Sequence, residues 1–210
     1  MTVNVKNIYC VGRNYAQHAK ELNNAVPESP LVFTKTTHAL VEANGQEVIL
    51  PGNFGRMHYE AEFVIHIARQ YEPGIKIDDL IDKMAIGIDF TLRDLQDDLR
   101  QKGYPWVLAK GFLNSAVISP WYPFEGLTVS SEKDFSLVKN GQEVQRGNIK
   151  DMIFDLPVVT EYIAKHLGLG AGDIVFTGTP EGVGPVSDGD QFIYNWGEKQ
   201  IGSSIIRLSI

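Results

Sequence analysis

The sequence predicts a β-rich α+β fold, and three observations lead to that prediction. Most apolar residues lie in short runs rich in β-branched and aromatic side chains, bounded by Gly, Pro and Asn. The pair Asn140-Gly141 separates two such runs, as in a tight β-hairpin. The segments with helical periodicity are scattered among the runs instead of alternating strictly with them, which favours α+β over a doubly wound sheet.

Strands are predicted wherever an apolar, β-branched run is bounded by turn-forming residues. In the hairpin, residues 135–139 and 143–146 flank the Asn140-Gly141 turn. Besides residues 143–146 of the hairpin, nine strands are predicted: residues 7–11, 30–35, 47–50, 60–68, 85–90, 135–139, 173–177, 191–194 and 204–209.

Helices are predicted for residues 14–22, 91–101 and 155–167, where apolar residues recur at helical spacing. The third has both of its boundaries marked, because Asp155 is a favourable N-cap residue, and Gly168 follows the last periodic residue. Residues 121–134 show no such pattern and are predicted to be a connecting loop. Without internal repeats or a linker, the chain is expected to form one domain over residues 1–210.

The composition favours a small-molecule partner. The 210 residues are 43% hydrophobic and 21% charged, as in ordinary globular proteins. The net charge of -7 argues against nucleic acid or an anionic membrane as a partner, because both select basic surfaces. Cys10 is the only cysteine, which excludes a disulfide framework and a cysteine-based metal motif. With no basic, apolar leader and no apolar stretch of about 18 residues, we expect a cytoplasmic protein.

An acidic pair opens one of the most apolar strands. Glu60 and Glu62 lie two residues apart, so their side chains share one face of the strand, roughly 7 Å apart. Burying two carboxylates without a positive partner costs several kcal/mol each. Asp89 ends another apolar run and would complete a set of three oxygen ligands, which suits Mg²⁺ or Mn²⁺ better than zinc. The alternative is an ordinary acidic pair on a solvated strand face.

Three further segments carry residues suited to catalysis or binding. His18 and Glu21 are three residues apart on a predicted helix, so the carboxylate can orient the imidazole as a general base; the alternative is an exposed pair. Lys110 lies among apolar residues, where its ammonium either faces the carboxylates or extends to solvent. In the Gly- and Pro-rich segment 177–185, backbone amides and the Thr179 hydroxyl could hold a carboxylate. Nucleotide-binding motifs are absent.

Five motifs follow one another over nearly the whole chain. They are Val11-Gly-Arg-Asn-Tyr-Ala-Gln-His18, His58-Tyr-Glu-Ala-Glu62, Gly87-Ile-Asp-Phe-Thr-Leu-Arg-Asp-Leu-Gln96, Pro105-Trp-Val-Leu-Ala-Lys110 and Gly172-Asp-Ile-Val-Phe-Thr-Gly-Thr-Pro-Glu-Gly-Val-Gly184. In this order they resemble the fumarylacetoacetate hydrolase family, specifically its short single-domain acylpyruvate hydrolase and oxaloacetate decarboxylase branch. The resemblance implies a mixed β-sheet roll with peripheral helices, like the C-terminal domain of that family, and a homodimer.

The resemblance also implies roles for individual residues. One Mg²⁺ or Mn²⁺ ion per chain would be bound by Glu60, Glu62 and Asp89. Catalytic roles would belong to His18, Glu21 and Lys110. The first two would lie on a mobile lid at about residues 14–30. Substrate contacts are implied for four residues: Arg13, Arg93, Gln96 and Thr179.

The leading functional hypothesis is hydrolysis of the carbon–carbon bond of 2,4-diketo acids, the acylpyruvates, to pyruvate and a carboxylic acid. His18, held by Glu21, would deprotonate the attacking water, and the metal and Lys110 would stabilise the pyruvate enolate. The alternative is oxaloacetate decarboxylation or oxaloacetate enol–keto tautomerisation, which uses the same metal chelate. A third hypothesis is a non-catalytic metal- and dicarboxylate-binding protein, for which His18, Glu21 and Lys110 would not all be needed.

Overall fold

The computed structural model describes residues 4–21 and 27–209. Its strands, in chain order, are β1 Ile8–Gly12, β2 Leu31–Lys35, β3 Leu40–Glu42, β4 Asn44–Pro51, β5 Met57–Tyr59, β6 Ala61–Ile67, β7 Ile81–Asp89, β8 Thr91–Leu92, β9 Ala116–Ile118, β10 Tyr122–Pro123, β11 Phe135–Lys139, β12 Gln142–Gly147, β13 Ile174–Phe176, β14 Gly184–Pro185, β15 Gln191–Trp196 and β16 Lys199–Ser209. The α-helices are α1 Ala16–Glu21, α2 Ile77–Leu80, α3 Arg93–Gln101, α4 Val107–Lys110, α5 Leu127–Ser131 and α6 Leu156–Leu167. Thr37–Ala39 and Ile149–Asp151 form short 3-10 helices.

The strands form three sheets, so the predicted β-rich α+β class is confirmed. The largest has eight strands in the order β2-β1-β13-β6-β7-β9-β3, with β10 paired to β7. It is mixed, since β1 and β13 are parallel, whereas β6 is antiparallel to both β13 and β7. A five-stranded sheet has the order β12-β11-β15-β16-β4, and a three-stranded sheet the order β14-β5-β8.

The larger hydrophobic core lies between the eight-stranded and five-stranded sheets, and a smaller one lies on the other face of the eight-stranded sheet. Every residue of β6 is buried, which explains why its sequence is almost continuously apolar. Phe63 of β6 packs against Trp196 of β15 with ring centroids 5.4 Å apart, and Phe90, just after β7, meets Phe192 of β15 at 6.1 Å. Polar side chains placed on β6 or at the end of β7 are therefore removed from solvent.

Most of the predicted elements are present, with shifted boundaries. All nine predicted strands overlap observed strands, and β11 and β12 form the hairpin around Asn140-Gly141. The helix predicted from residue 91 begins at Arg93 instead, because Thr91 pairs with His58 in the three-stranded sheet. The first predicted helix begins at Ala16, and residues 22–26 of the predicted lid lie outside the described residues.

The prediction of a loop over residues 121–134 is wrong in part. This segment contains β10, which pairs with β7, and the helix α5, whose first backbone amide, that of Leu127, donates a hydrogen bond to Asp78 Oδ1 at 2.8 Å. Only Ser130 of α5 is buried, so the helix has no apolar periodicity that the sequence could reveal. Within the residues that the structure describes, no helix has the length and apolar character needed to cross a bilayer.

The antiparallel pairing of β6 and β7 positions the acidic residues. The beginning of β6 lies beside the end of β7, with Glu62 opposite Gly87. The backbone N–H of Asp89 donates to the carbonyl of Glu60 at 2.8 Å. Glu60 and Asp89, which are distant in sequence, are therefore neighbours at one end of the same strand pair.

The N-cap of α6 gives a direct test of one local prediction. Asp155 Oδ1 accepts a hydrogen bond from the N–H of Val158 at 2.9 Å, as an N-cap residue should. We expect Asp155→Ala to lower the free energy of unfolding by about 1 kcal/mol, measured by urea denaturation, whereas Asp155→Asn keeps a cap acceptor and most of the stability. Equal losses in both variants would contradict this assignment.

Candidate active site

The carboxylates of Glu60, Glu62 and Asp89 converge at the junction of β6 and β7. One oxygen from each lies within 4.8 Å of the others. All three residues are buried, with Asp89 fully inaccessible to solvent. An acidic pair on a solvated strand face is therefore not what the fold contains. Three buried negative charges so close together require positive partners, because desolvation costs each several kcal/mol.

Lys110 is the first of these partners. Its Nζ atom lies 2.6 Å from Glu60 Oε2, 2.7 Å from Asp89 Oδ2 and 2.6 Å from Thr91 Oγ1. The side chain is buried, so it does not extend to solvent. Burial alone would lower the pKa of Lys110, but the charges of Asp89 and Glu60 outweigh burial and raise it. Lys110 is therefore a positively charged ammonium between two carboxylates.

Arg93 is the second positive partner. Its guanidinium forms an ion pair with Glu60, and its Nη1 donates to Gln96 Oε1 at 2.6 Å. Although burial acts to raise the pKa of Glu60, the charges of Lys110 and Arg93 hold that pKa well below the usual range. Arg93 and Gln96 thus lie in the site, but the Arg93 guanidinium is already engaged by a carboxylate.

Lys35 is the third partner, and sequence reasoning did not identify it. Its buried Nζ atom lies 2.8 Å from Asp89 Oδ1. It donates to the carbonyl of Lys110, to Ser115 Oγ at 3.1 Å and to the carbonyl of Phe90 at 3.3 Å. A signal was available in the sequence, because Lys35 ends an apolar strand just as Asp89 does.

Glu62 has a different environment from the other two carboxylates. It accepts a hydrogen bond from the N–H of Gly178 at 2.7 Å. Burial, followed by the charge of Asp89, raises the pKa of Glu62 well above its usual value. Protein cations pair with Glu60 and Asp89, whereas Glu62 forms no ion pair with a described residue, and its burial favours the protonated form unless a further positive charge is present.

The donor set fits a divalent cation. Among the described residues, none donates a hydrogen bond to the buried Asp89 Oδ1, although the Lys35 ammonium lies 2.8 Å from it. Glu62 forms no ion pair within the part of the chain that the structure describes, and all three ligand candidates are carboxylates. Hard cations with oxygen-rich coordination, such as Mg²⁺ and Mn²⁺, suit this arrangement.

The His18–Glu21 pair forms as the helix spacing allows. His18 Nδ1 lies 3.3 Å from Glu21 Oε2, and Glu21 also accepts from the N–H of Gly182 at 3.2 Å. His18 is buried, whereas 34% of the Glu21 side chain is exposed. Burial lowers the pKa of His18, although Glu60 and Glu21 act in the opposite direction. A neutral imidazole, with Nδ1 facing a carboxylate, is suited to accept a proton at Nε2.

A cavity of about 190 Å³ joins these groups. Nine of the ten residues predicted for the site line this cavity: Arg13, His18, Glu60, Glu62, Asp89, Arg93, Gln96, Lys110 and Thr179. Glu21 lies behind His18 instead. Lining residues that sequence reasoning missed include Phe33, Asp97, Arg100 and Trp106. The volume is small, so the cavity suits a compact organic acid rather than a nucleotide.

Two buried amides hold the surroundings of the cavity together. Gln145 donates to Thr179 Oγ1 at 2.9 Å and accepts from the N–H of Ala61 at 2.8 Å, which ties the glycine-rich segment to β6. Asn14 donates to the carbonyls of Thr177 and Phe154 at 2.8 and 2.9 Å. Neither residue was predicted, because a single Asn or Gln carries no spacing signal.

Comparisons with known proteins agree with this geometry. The profile described as "Fumarylacetoacetate (FAA) hydrolase C-terminal" matches residues 7–206. The human mitochondrial oxaloacetate tautomerase FAHD1 is 37% identical over 188 residues, covering 89% of this chain and 85% of the human protein. The oxaloacetate tautomerase YcgM of Escherichia coli K12 is 37% identical over 190 residues, covering 89% of this chain and 86% of that protein.

A solved structure gives a further comparison. The fumarylpyruvate hydrolase of Pseudomonas aeruginosa, crystallised in complex with Mn²⁺ and pyruvate, superposes with a TM-score of 0.90 at 34% identity. The match covers 100% of this chain and 92% of that one. Since the family profile spans nearly the whole sequence and several relatives exceed 30% identity, the chain belongs to the fumarylacetoacetate hydrolase family of enzymes.

Proposed function

We propose that this protein is a metal-dependent oxaloacetate tautomerase, which interconverts the enol and keto forms of oxaloacetate. The sequence relatives support this reaction over acylpyruvate hydrolysis, because those from human, bovine, bacterial and plant sources bear this name. The observation that carries the proposal is the balance of charge in the buried cluster.

When all three carboxylates are ionised, as ligation of a cation requires, the three positive side chains Lys35, Arg93 and Lys110 match them in number. A divalent cation added to this neutral set gives an excess of two positive charges in a buried place. Uncompensated charge is costly there, so the loaded site favours a dianion over a neutral or singly charged molecule. Oxaloacetate carries two carboxylates at neutral pH and fits this requirement.

The residues of the chain have distinct roles in the proposed reaction. Glu60, Glu62 and Asp89 would hold the cation, which when bound polarises the C2 oxo group and favours enolate charge on its oxygen. Lys110 supplies a further positive charge beside these carboxylates. The Thr179 hydroxyl, fixed by Gln145, lines the cavity where a substrate carboxylate can accept a hydrogen bond.

His18 is the proposed proton carrier. Nε2 of the neutral imidazole removes a proton from C3, and the C3–H electron pair becomes the C2=C3 bond. The C2=O π pair moves onto oxygen, which then receives the proton to complete the enol. The reverse sequence produces the keto form. Glu21 orients the ring and stabilises its transient positive charge.

Acylpyruvate hydrolysis is the second candidate function. Its support is the similarity to the fumarylpyruvate hydrolase that was crystallised with Mn²⁺ and pyruvate. The same His18–Glu21 pair could deprotonate water, and departure of a pyruvate enolate would use the same charge stabilisation. The two functions therefore differ in whether a water molecule attacks at C4, not in the machinery beside the carboxylates.

A direct assay separates the candidates. We expect the purified protein with Mg²⁺ or Mn²⁺ to accelerate the decay of enol absorbance when enolic oxaloacetate is dissolved, without forming pyruvate, and EDTA to abolish the acceleration. Pyruvate production at the rate of enol loss would identify a decarboxylase instead. Inactivity on oxaloacetate together with cleavage of acylpyruvates would identify a hydrolase.

Glu62→Gln tests the proposed cation site. Loss of one anionic ligand should weaken Mn²⁺ binding, measured by calorimetry, by at least about 10-fold, since even partners outside the coordination sphere contribute that much. In EDTA the variant should melt at an equal or higher temperature than the parent protein, because burial disfavours the ionised form of Glu62 and a glutamine in its place cannot ionise. Glu47→Gln, which breaks an exposed pair with Arg207, is the control and should leave Mn²⁺ binding unchanged.

His18→Gln tests the proton carrier. We expect kcat for tautomerisation to fall by roughly 100-fold or more, while His38→Gln, at an exposed histidine, has no effect. Because burial lowers the pKa of His18 from 6.5, the parent protein should keep its activity as the pH falls to 6.5 and lose it only below that value. The pH–rate profile of His18→Gln should lack this acidic limb; a limb at the same pH in the variant would show that another group titrates.

A further inference from the structure

We propose that the aromatic side chains of Phe33 and Trp106 set the size limit for ligands of the active site. Both line the inner cavity of about 190 Å³, and both also line an outer groove of about 360 Å³. Among the described residues, these two belong to both spaces, so they form the wall between them. The inference rests on the proposed function, because it assumes that a 2-oxo acid group binds beside Glu60, Glu62 and Asp89. It restricts the substrates to compact 2-oxo acids.

The position of Phe33 follows from that of Lys35. The two residues are two apart on β2, so their side chains point to the same face of the strand. The Lys35 ammonium lies 2.8 Å from Asp89 Oδ1, which places this face of β2 against the carboxylates. The centroid of the Phe33 ring is also 5.1 Å from Lys110 Nζ, within the range of a cation–π contact. Phe33 therefore lies directly beside the charged groups of the cavity.

Trp106 is the N-cap residue of α4, the helix that carries Lys110. The N–H of Lys110 donates to the carbonyl of Trp106 at 3.0 Å, so one helical turn separates the two residues and their side chains lie on the same side of the helix. The Trp106 ring meets the Phe33 ring edge to face, with centroids 5.9 Å apart and planes at 67°. This is a favourable arrangement of aromatic rings. The two side chains therefore support each other and close the cavity on this side.

The groove on the far side of the wall is apolar and open to solvent. It runs along the edge strand β2 and the segment that leads into α4. Its other lining residues are Leu31, Val32, Thr34, Tyr104, Pro105 and Val107. Thr34 and Val107 are exposed at its rim, and none of the described lining residues carries a charge. The groove can therefore hold an alkyl chain but offers no partner to a charged group.

The wall separates two classes of 2-oxo acid. A compact acid such as oxaloacetate needs only the inner cavity, where charged groups surround it. An acid with a long alkyl chain could bury that chain only in the groove, and the two rings block this path. Each methylene transferred from water to an apolar site strengthens binding by about 4-fold, so without the wall such acids would bind much more tightly. Removing the Trp106 ring should produce that gain.

The test compares 2-oxobutanoate with 2-oxooctanoate, which carries four more methylene groups. Binding of each acid to the Mg²⁺-loaded protein is measured by calorimetry. We expect the parent protein to bind 2-oxooctanoate no more tightly than 2-oxobutanoate. Trp106→Ala should bind 2-oxooctanoate at least about 10-fold more tightly than the parent protein does, a gain that burial of about two methylenes supplies. Its affinity for 2-oxobutanoate should change little.

Two further variants complete the test. Leu108→Ala removes an exposed leucine of α4 that lines neither space, so this control should bind both acids as the parent protein does. Trp106→Leu retains an apolar side chain beside Phe33 and should give a smaller gain for 2-oxooctanoate in the same direction. It answers the same question if the melting curve shows that Trp106→Ala does not fold.

The outcomes distinguish this inference from the proposed function. Tighter binding of 2-oxooctanoate than of 2-oxobutanoate by the parent protein, or no gain in either Trp106 variant, would overturn the size limit even if oxaloacetate is tautomerised. Equal tightening of both acids would also contradict it, because the change would then not depend on ligand length. If the parent protein fails to tautomerise oxaloacetate but Trp106→Ala shows the selective gain, the wall stands and only the proposed reaction is wrong.

Discussion

The buried ammonium of Lys110, held between Glu60 and Asp89, is the interaction on which the rest of the site depends. Three carboxylates cannot be brought together in the interior of a protein unless positive groups accompany them. Lys110, Arg93 and Lys35 provide that compensation for two of the carboxylates. Glu62 remains the exception, and its raised pKa identifies the part of the cluster that a cation would stabilise most.

The sequence was sufficient to predict the elements whose chemistry is local. The cap of α6, the Asn140-Gly141 hairpin and the acidic pair at the start of β6 each depend on a few adjacent residues, and all are present in the fold. The convergence of Asp89 on this pair depends on β7 being the neighbour of β6, which the residue pattern alone does not determine. There the resemblance to a known family supplied the missing long-range information.

Other features could not be predicted, for identifiable physical reasons. Lys35 looked like an ordinary strand end, since its partners Asp89 and Ser115 are far away in sequence. Gln145 and Asn14 act through single side chains with no periodicity. Arg100 has the appearance of a solvated helix residue, and only the packing of α3 against α4, β5 and β8 brings it to the cavity. The roles of these residues can be assigned only once the tertiary contacts are known.

The segment after β13 contacts both halves of the site. The N–H of Gly178 is bonded to Glu62, while the N–H of Gly182, four residues later, is bonded to Glu21. The carboxylate suited to hold a cation and the carboxylate that steadies the imidazole thus share one short stretch of backbone. Thermodynamic linkage is reciprocal. If cation binding at Glu62 orders this stretch and so favours its contact with Glu21, that contact favours cation binding by the same factor. Binding of a cation at Glu62 and docking of helix α1 through Glu21 would then be thermodynamically coupled.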